Sequence, residues 1–241
     1  MRLAIISDIH GNFEALSNVL SDMEAVGVDD VVCLGDCIGY GPDPESVVAE
    51  IRGRRITTIM GNHELAVCDK NQLKWFNPLA QASLRITLTM LSADSIDFIR
   101  QLPTTVTSCQ CLCVHGYPPD SVRTYLFQKS PEALTKTLQN MNTAICFVGH
   151  THDLEIVAWD GHRLIRDPLK KGCVQLNQGY RYIINVGSVG QPRDGNNNAK
   201  YAIYNVESSA LEIRFVPYDI AVTADKIKAA GMPENHARRL W

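Results

Sequence analysis

The chain has 241 residues, 45% hydrophobic and 20% charged, a balance typical of a soluble globular protein with one or two α/β domains. No apolar run approaches the roughly 18 residues of a membrane-spanning helix, and the short N-terminal run is too short for a signal peptide. The 23 basic and 26 acidic residues give a net charge of −3, which disfavours a dedicated nucleic-acid-binding face. We therefore expect a cytoplasmic protein without membrane contacts, whose eight cysteines are reduced thiols.

Five short apolar runs in the first two thirds of the chain predict buried β-strands. They span residues 3–6, 31–34, 56–59, 111–114 and 145–148. Helical patterns separate several of them, at residues 12–27, 44–52 and 131–140. Strands that alternate with helices indicate a parallel sheet with right-handed crossovers.

The remaining segments depart from this alternation. Residues 64–101 contain predicted helices at 78–91 and 93–102, which we interpret as a helical cap inserted beside the site. From residue 155 the pattern is mostly antiparallel strands, at 155–159, 163–166, 181–186, 200–206 and 211–216, followed by a helix at about 221–230. We expect residues 155–241 to form the second-sheet half of one domain covering residues 1–241. The predicted fold is a two-sheet α/β sandwich with flanking helices.

Residues that can bind metal follow each of the five predicted strands. They are Asp8 and His10, Asp36, Asn62 and His63, His115, and His150 and His152. Because ligand sites of parallel sheets lie beyond the carboxyl ends of the strands, we expect these side chains to share one site. Nitrogen and oxygen ligands without cysteine suit Mn, Fe, Co, Ni or Zn. Seven ligands are too many for one ion, whereas two ions sharing a carboxylate can clamp the attacking and leaving oxygens of a phosphoryl transfer.

The order of these motifs resembles that of the calcineurin-like metallophosphoesterase superfamily. The matching motifs are Asp8-Ile9-His10, Gly35-Asp36, Gly61-Asn62-His63-Glu64, Val114-His115-Gly116 and Gly149-His150-Thr151-His152. Residues 185–193 are similar to a segment of the small bacterial and archaeal phosphoesterases of this superfamily. The resemblance implies a two-sheet α/β sandwich and a metal-dependent phosphoric ester hydrolase.

The resemblance also implies a role for each residue. One metal ion would be held by Asp8, His10, Asp36 and His152, and a second by Asp36 as the bridge with Asn62, His115 and His150. His63 would protonate the leaving oxygen or stabilise its charge, and the nucleophile would be a metal-bridging water or hydroxide.

The sequence departs from the serine/threonine phosphatases of this superfamily beside the bridging aspartate. Those enzymes carry Gly-Asp-x-x-Asp-Arg-Gly, where this chain has Gly39 and Tyr40 in place of the second aspartate and the arginine. Losing a bidentate arginine weakens the binding of a phosphomonoester dianion. We therefore expect a phosphodiester or a nucleotide as substrate, and the residue that orients His63 is not identified.

The sequence offers candidates for two further contacts with the substrate, a phosphate ligand and an aromatic wall, without deciding either. Arg193 is a candidate phosphate ligand, although a surface turn accounts for it equally well. Tyr40, Tyr117, Trp75 and Phe76 are candidates for an aromatic wall, but for Trp75 and Phe76 core packing or a dimer contact is preferred, so a homodimer is left open. Cys109, Cys111 and Cys113 are interpreted as small apolar residues of a buried strand.

The leading hypothesis is a dinuclear metal-dependent phosphoesterase that acts on a small phosphorylated molecule. The alternatives are a serine/threonine protein phosphatase, a dinucleoside polyphosphate hydrolase, a nuclease, and a metal-binding scaffold without turnover. Net charge argues against the nuclease, and the complete ligand set argues against the scaffold.

Overall fold

A computed structural model describes all 241 residues and has two six-stranded sheets packed face to face with helices outside. The strands are β1 (Arg2–Ile6), β2 (Asp30–Cys33), β3 (Thr57–Thr58), β4 (Thr105–Ser108), β5 (Cys111–Val114), β6 (Ile145–Val148), β7 (Leu154–Trp159), β8 (Leu164–Pro168), β9 (Gly172–Gln175), β10 (Arg181–Val186), β11 (Ala199–Asn205) and β12 (Ala210–Val216). The helices are α1 (Phe13–Val26), α2 (Pro44–Gly53), α3 (Asn62–Cys68), α4 (Pro78–Met90), α5 (Ala93–Arg100), α6 (Pro131–Asn140), α7 (Ile220–Ala229) and α8 (Glu234–Arg238). The predicted two-sheet α/β sandwich is confirmed.

Each sheet has a parallel part and an antiparallel part. The order in sheet I is β3-β2-β1-β11-β12-β9, and the order in sheet II is β4-β5-β6-β10-β7-β8. The neighbours β1, β2 and β3 are parallel, as are β5, β6 and β10. The carboxyl ends of these parallel strands lie at one edge of the sandwich, where the predicted site residues follow them.

Alternation along the strands builds the three layers of the core. Leu3 and Ile5 face the other sheet, whereas Ala4 and Ile6 face α1 and α2 on the outside. On the outer face of sheet II, Leu134 of α6 packs with residues of β5, β6 and β10. Both faces of β1 and β6 are therefore covered, which explains why these strands are unbroken apolar runs in the sequence.

The strands after residue 155 do not form a sheet of their own, contrary to the expected second-sheet half. Strands β7, β8 and β10 join sheet II beside β6, and β9, β11 and β12 join sheet I beside β1. Pairing of Leu3 with Tyr204 shows how distant the partners are along the chain. Hydrophobic periodicity identifies a strand but not its neighbour in the sheet. The prediction from the sequence therefore placed these strands in the wrong sheet.

The segment predicted as a helical cap contains most of α3, a 3₁₀ turn at Lys70–Trp75, α4 and α5. Ser83 of α4 accepts a hydrogen bond from the backbone N–H of Tyr40 (2.8 Å), so this segment contacts the site loops directly. Strands β4 and β9 and helices α3 and α8 lack a distinct apolar pattern and were not predicted. None of the eight helices combines the length and apolar character that crossing a bilayer requires.

Candidate metal centre and active site

The structure brings all eight predicted side chains together at the carboxyl edge of the two sheets. Seven of them are at most 5% exposed, and Asn62 is half-buried. Asp8 and His10 follow β1, Asp36 follows β2, His115 follows β5, and the loop after β6 carries the remaining two histidines. Asn62 and His63 follow β3 and form the first turn of α3.

Backbone conformation turns the ligand side chains towards one another. Five non-glycine site residues have positive φ angles: Asp8 (54°), His10 (50°), Asp36 (51°), His150 (68°) and His152 (66°). The left-handed region costs about 1–2 kcal/mol per such residue. Such strain is characteristic of functional sites, where the surrounding structure holds it in place.

His10 and His152 direct unprotonated nitrogens at each other. The Nδ1–H of His10 donates to the carbonyl of Ile38 (3.1 Å), and the Nδ1–H of His152 donates to that of Gln191 (2.6 Å). Since a carbonyl only accepts, each ring carries its proton on Nδ1 and leaves a lone pair on Nε2. The two Nε2 atoms lie 3.0 Å apart, an arrangement that is repulsive until a cation lies between them.

His115 and His150 form a second pair of the same kind. The Nδ1–H of His115 donates to the carbonyl of Leu34 (2.9 Å), and the Nε2–H of His150 donates to that of Arg123 (3.0 Å). The other two nitrogens, Nε2 of His115 and Nδ1 of His150, are 3.2 Å apart. Oδ1 of Asn62 lies 3.0 Å from Nε2 of His115. Backbone carbonyls that fix the tautomer are the usual outer partners of metal-binding histidines.

The two carboxylates complete the cluster. Oδ2 of Asp8 accepts hydrogen bonds from the Ser7 hydroxyl (2.6 Å) and from the backbone N–H of His150 (2.9 Å). The buried Oδ1 of Asp8 has no hydrogen-bond donor and lies 3.3 Å from Nε2 of His152. Oδ2 of Asp36 faces both histidine pairs, 3.8 Å from Nε2 of His10 and 3.3 Å from Nε2 of His115. These groups of carboxylate and imidazole donors could therefore hold divalent metal ions.

The electrostatic potential beside the carboxylates of Asp8 and Asp36 favours a positive charge. Burial opposes ionisation of Asp8 and Asp36, but the neighbouring histidines outweigh it and hold the pKa of both carboxyls below their ordinary range. Burial likewise opposes a charged His115, yet Asp36 raises the pKa of that ring to about 10, so its Nε2 holds a proton that a bound metal ion would displace. Two ionised carboxylates buried together need a cation to balance them.

His63 is oriented by packing, without a hydrogen-bonding side chain. Its ring contacts those of His10, Tyr40 and Phe76, with centroids 4.7, 4.6 and 4.9 Å away. Nε2 lies 3.9 Å from Oδ2 of Asp36, and the buried Nδ1 has no partner. Nδ1 occupies space that Gly39 leaves open, because a Cβ there would lie 2.1 Å from it. Burial lowers the pKa of His63 to about 4, so the ring is neutral at pH 7.

Glu64 is a site residue for which the sequence patterns indicated no role. Its carboxylate is fully buried and accepts hydrogen bonds from the backbone N–H groups of Asp36 (2.7 Å), Cys37 (2.8 Å) and Gly61 (2.9 Å). It thereby fixes the loop that presents Asp36. Burial raises its pKa to about 7. Its position at the end of the Gly61-Asn62-His63-Glu64 motif was the available signal.

Two adjoining clefts open beside the cluster, and Tyr40, Asn77 and Tyr125 line both. The cluster-side cleft, about 680 Å³, is also lined by the candidate ligands Asn62 and His150. The outer cleft, about 520 Å³, is lined on its far side by Arg193, Arg239 and Trp241. No sequence pattern indicated Arg239 or Trp241.

The predicted aromatic residues divide between the site and the core. Trp75 is 75% exposed and lines the cluster-side cleft with Arg123 stacked on its ring, so core packing was the wrong interpretation for Trp75. Phe76 lines the same cleft and packs on His63. Tyr117 points elsewhere, donating a hydrogen bond to Thr137 (2.8 Å). Cys111 and Cys113 are buried in β5 as predicted.

Comparison with known proteins agrees with this geometry. A family model of the calcineurin-like phosphoesterase superfamily domain matches residues 1–209. The uncharacterized protein MJ0912 of Methanocaldococcus jannaschii is 33% identical over 99% of this chain and 97% of its own length. A metallophosphoesterase from Sphaerobacter thermophilus superposes with a TM-score of 0.87 at 36% identity, covering 100% of this chain and 98% of the other. The hypothetical protein PH1004 of Pyrococcus horikoshii OT3 shares the fold, with a TM-score of 0.80 at 18% identity and coverage of 100% and 97%. The chain belongs to the calcineurin-like phosphoesterase superfamily and is a metal-dependent phosphoester hydrolase.

Proposed function

We propose that the chain hydrolyses the phosphodiester bond of a small phosphorylated molecule or nucleotide, using two divalent metal ions. The observation that carries this proposal is the two pairs of facing histidine nitrogens on either side of Asp36. Asp8, His10, Asp36 and His152 would hold one ion, and Asp36, Asn62, His115 and His150 the other. Bound ions at such a site polarise the phosphoryl oxygens and lower the pKa of a coordinated water.

The ligand types set the choice of ion to be tested first. Four imidazoles, two carboxylates and an amide oxygen suit Mn, Fe, Co, Ni or Zn, because none of them is a soft thiolate. We propose Mn²⁺ as the working ion, since three of the seven ligands are oxygen donors of the kind that suit it.

His63 would act on the leaving oxygen. Its ring is neutral at pH 7, and its one protonated nitrogen would donate a hydrogen bond to the leaving oxygen. A negatively charged phosphoryl group beside it raises its pKa, because an anion favours the imidazolium form. The contacts with His10, Tyr40 and Phe76 hold the His63 ring in place for proton transfer to the leaving oxygen.

Tyr40 supports a diester over a monoester. Its ring packs on His10 and His63, with centroids 4.5 and 4.6 Å away, where related phosphatases have an arginine. Burial raises the pKa of the phenol to about 12, so Tyr40 is uncharged at neutral pH. A monoester dianion carries one more negative charge at the reacting phosphate than a diester and gains more from a cation at this position. The absence of that cation favours the diester.

The test compares bis-p-nitrophenyl phosphate with p-nitrophenyl phosphate in the presence of Mn²⁺, Ni²⁺ or Zn²⁺. The wild-type protein should cleave the diester faster. His63→Ala should lower kcat about 100-fold or more, the usual contribution of a positioned proton donor, while the metal content stays unchanged. His162→Ala is the matched control, since His162 lies in an exposed turn away from the site.

The outcomes separate the alternatives. Faster monoester cleavage would return the protein phosphatase to first place. Bound metal without cleavage of either ester would support the scaffold. A His63→Ala variant with wild-type turnover and intact metal content would remove His63 from the mechanism.

A further inference from the structure

The outer cleft is distinct from the position of the metal-binding cluster. Its lining includes Arg193, Arg239 and Trp241 but none of the seven candidate ligands, two of which line the cluster-side cleft. Tyr40, Asn77 and Tyr125 line both clefts, so the two clefts adjoin at these side chains. A molecule whose reacting phosphate lies at the cluster can therefore extend past Tyr40 into the outer cleft.

Two arginines in the outer cleft have no acidic partner. Neither Arg193 nor Arg239 forms an ion pair or a side-chain hydrogen bond, although their neighbours in sequence do: Asp194 pairs with Lys200 (2.7 Å) and Arg238 pairs with Glu234 (3.0 Å). Unpaired guanidinium groups that line one cleft are the groups that recognise phosphate in two-point contacts.

Buried contacts anchor the two backbone segments that carry Arg193 and Arg239. The buried ammonium of Lys200 donates to the carbonyls of Asn196 (2.6 Å) and Asn198 (3.2 Å) and pairs with Asp194, which orders the loop that carries Arg193. On the other side, Leu240 is buried in a cluster with residues of α7 and α4. The buried ring of His236 in α8 packs on Tyr40, with centroids 4.7 Å apart.

We propose that Arg193 and Arg239 form a subsite for a second phosphate group of the substrate, separate from the phosphate that is hydrolysed. The proposal rests on the proposed function, which assigns the reacting phosphate to the metal cluster. Tyr40, Tyr125 and the exposed ring of Trp241 flank the same cleft and offer flat surfaces for a base. The substrate class is thus a nucleotide that carries a second phosphate.

The test compares the binding of adenosine 3′,5′-bisphosphate with that of adenosine 5′-monophosphate and adenosine 3′-monophosphate. Calorimetric titration of the Mn²⁺-loaded protein gives each Kd, and competition with bis-p-nitrophenyl phosphate gives each inhibition constant. The wild-type protein should bind the bisphosphate about 10-fold or more tightly than either monophosphate, as expected for one charge-assisted contact. Higher salt should reduce this preference.

Variants of Arg193 and Arg239 test whether these two side chains cause the preference for the bisphosphate. Arg239→Gln and Arg193→Gln should each reduce the preference for the bisphosphate to about 3-fold or less. Arg238→Gln is the matched control, because this neighbouring arginine is paired with Glu234 and does not line the cleft. It should retain the wild-type preference, and unfolding curves check that all three variants are folded.

The two proposals fail in different ways. A protein that cleaves neither nitrophenyl ester contradicts the proposed function, while the titrations still report on the subsite. Equal affinity for bisphosphate and monophosphates overturns the subsite alone. A preference that survives in both Arg193→Gln and Arg239→Gln overturns it as well, and so does an equal loss in Arg238→Gln, which would indicate only general attraction by positive charge.

Discussion

The orientation of His63 depends on the absence of a side chain at residue 39. Gly39 has a φ of +83° and lies against the Nδ1 edge of His63, where a Cβ has no room. The ring is instead held by aromatic neighbours on its other sides. The glycine that replaces the expected orienting aspartate therefore allows a different means of positioning.

Gly39→Ala should reduce both stability and turnover. The positive φ costs about 1–2 kcal/mol for a residue with a Cβ, and displacing His63 by about 1 Å lowers kcat about 100-fold. Hydrolysis of bis-p-nitrophenyl phosphate and denaturant unfolding measure the two effects.

Gly27→Ala controls for the backbone effect alone. Gly27 ends α1 with a φ of +71°, and no atom lies within 4 Å of the position that a Cβ would take there. We expect this variant to lose about 1 kcal/mol of stability and to keep wild-type turnover. Wild-type turnover in Gly39→Ala would show that Gly39 does not position His63.

At the scale of elements, α1 is attached to sheet I by one polar cluster. Asp22 of α1 accepts from Nε (2.6 Å) and Nη2 (2.8 Å) of Arg214 on β12 and from the hydroxyl of Tyr201 on β11 (2.7 Å). These hydrogen bonds from Arg214 lead the effects that lower the pKa of Asp22. A lowered pKa means that folding favours the carboxylate.

Asp22→Asn should destabilise the protein by about 2 kcal/mol at pH 7, the value of a charge-assisted hydrogen-bond pair. The contribution of Asp22 is complete above its unfolded pKa of about 3.9 and is lost as the pH falls through the lower folded value. The difference between variant and wild type should therefore shrink between pH 5 and pH 3, as measured by denaturant unfolding. Asp97→Asn, at an exposed pair with Arg100, should cost at most about 0.5 kcal/mol. A pH-independent difference would contradict the assignment.

The loop between β10 and β11 depends on a single buried cation. Lys200 is fully buried, donates to two loop carbonyls and lies over the ring of Phe215 (5.0 Å). Lys200→Met should cost about 3 kcal/mol, because the loop carbonyls and Asp194 lose their partner. KM should rise more than kcat falls, since the loop carries Arg193. Lys228→Met, at an exposed pair with Asp225, is the control and should change neither. An unchanged KM in Lys200→Met would separate this loop from substrate binding.

At the scale of the whole molecule, the metal-binding cluster joins the two sheets. Asp8 and Asp36 follow strands of sheet I, whereas His115 and His150 follow strands of sheet II. An ion bound by residues of both sheets binds the folded chain only, so its binding free energy adds to the stability of the fold.

Removal of divalent metal by a chelator should lower the Tm by about 10 °C. This follows from about 4 kcal/mol of stabilisation at ion concentrations 1,000-fold above Kd and about 2–4 °C per kcal/mol for a chain of this size. Calorimetry with and without Mn²⁺ measures the shift, and Asp36→Asn should abolish most of it. Equal Tm values in both conditions would mean that the cluster binds Mn²⁺ too weakly to couple the sheets.

The class of fold and the residues of the cluster could be predicted from the amino-acid sequence, because both are encoded locally. Buried strands such as β1 and β6 are short apolar runs, and each is followed within a few residues by a polar side chain. The rule that carboxyl ends of parallel strands share an edge then brings these side chains together without further information. His10, separated from its partner His152 by most of the chain, was placed in this way.

The neighbours of each strand and the surroundings of the cluster could not be predicted, because they depend on tertiary contacts. The distribution of β7–β12 over both sheets depends on pairings between distant residues, and hydrophobic periodicity carries no such information. The packing of His63 between Tyr40 and Phe76 depends in the same way on segments far apart in sequence, and so does the placing of Arg193 and Arg239 in one cleft. Local patterns specify elements and their ends, whereas contacts among distant side chains form only when the whole core is packed.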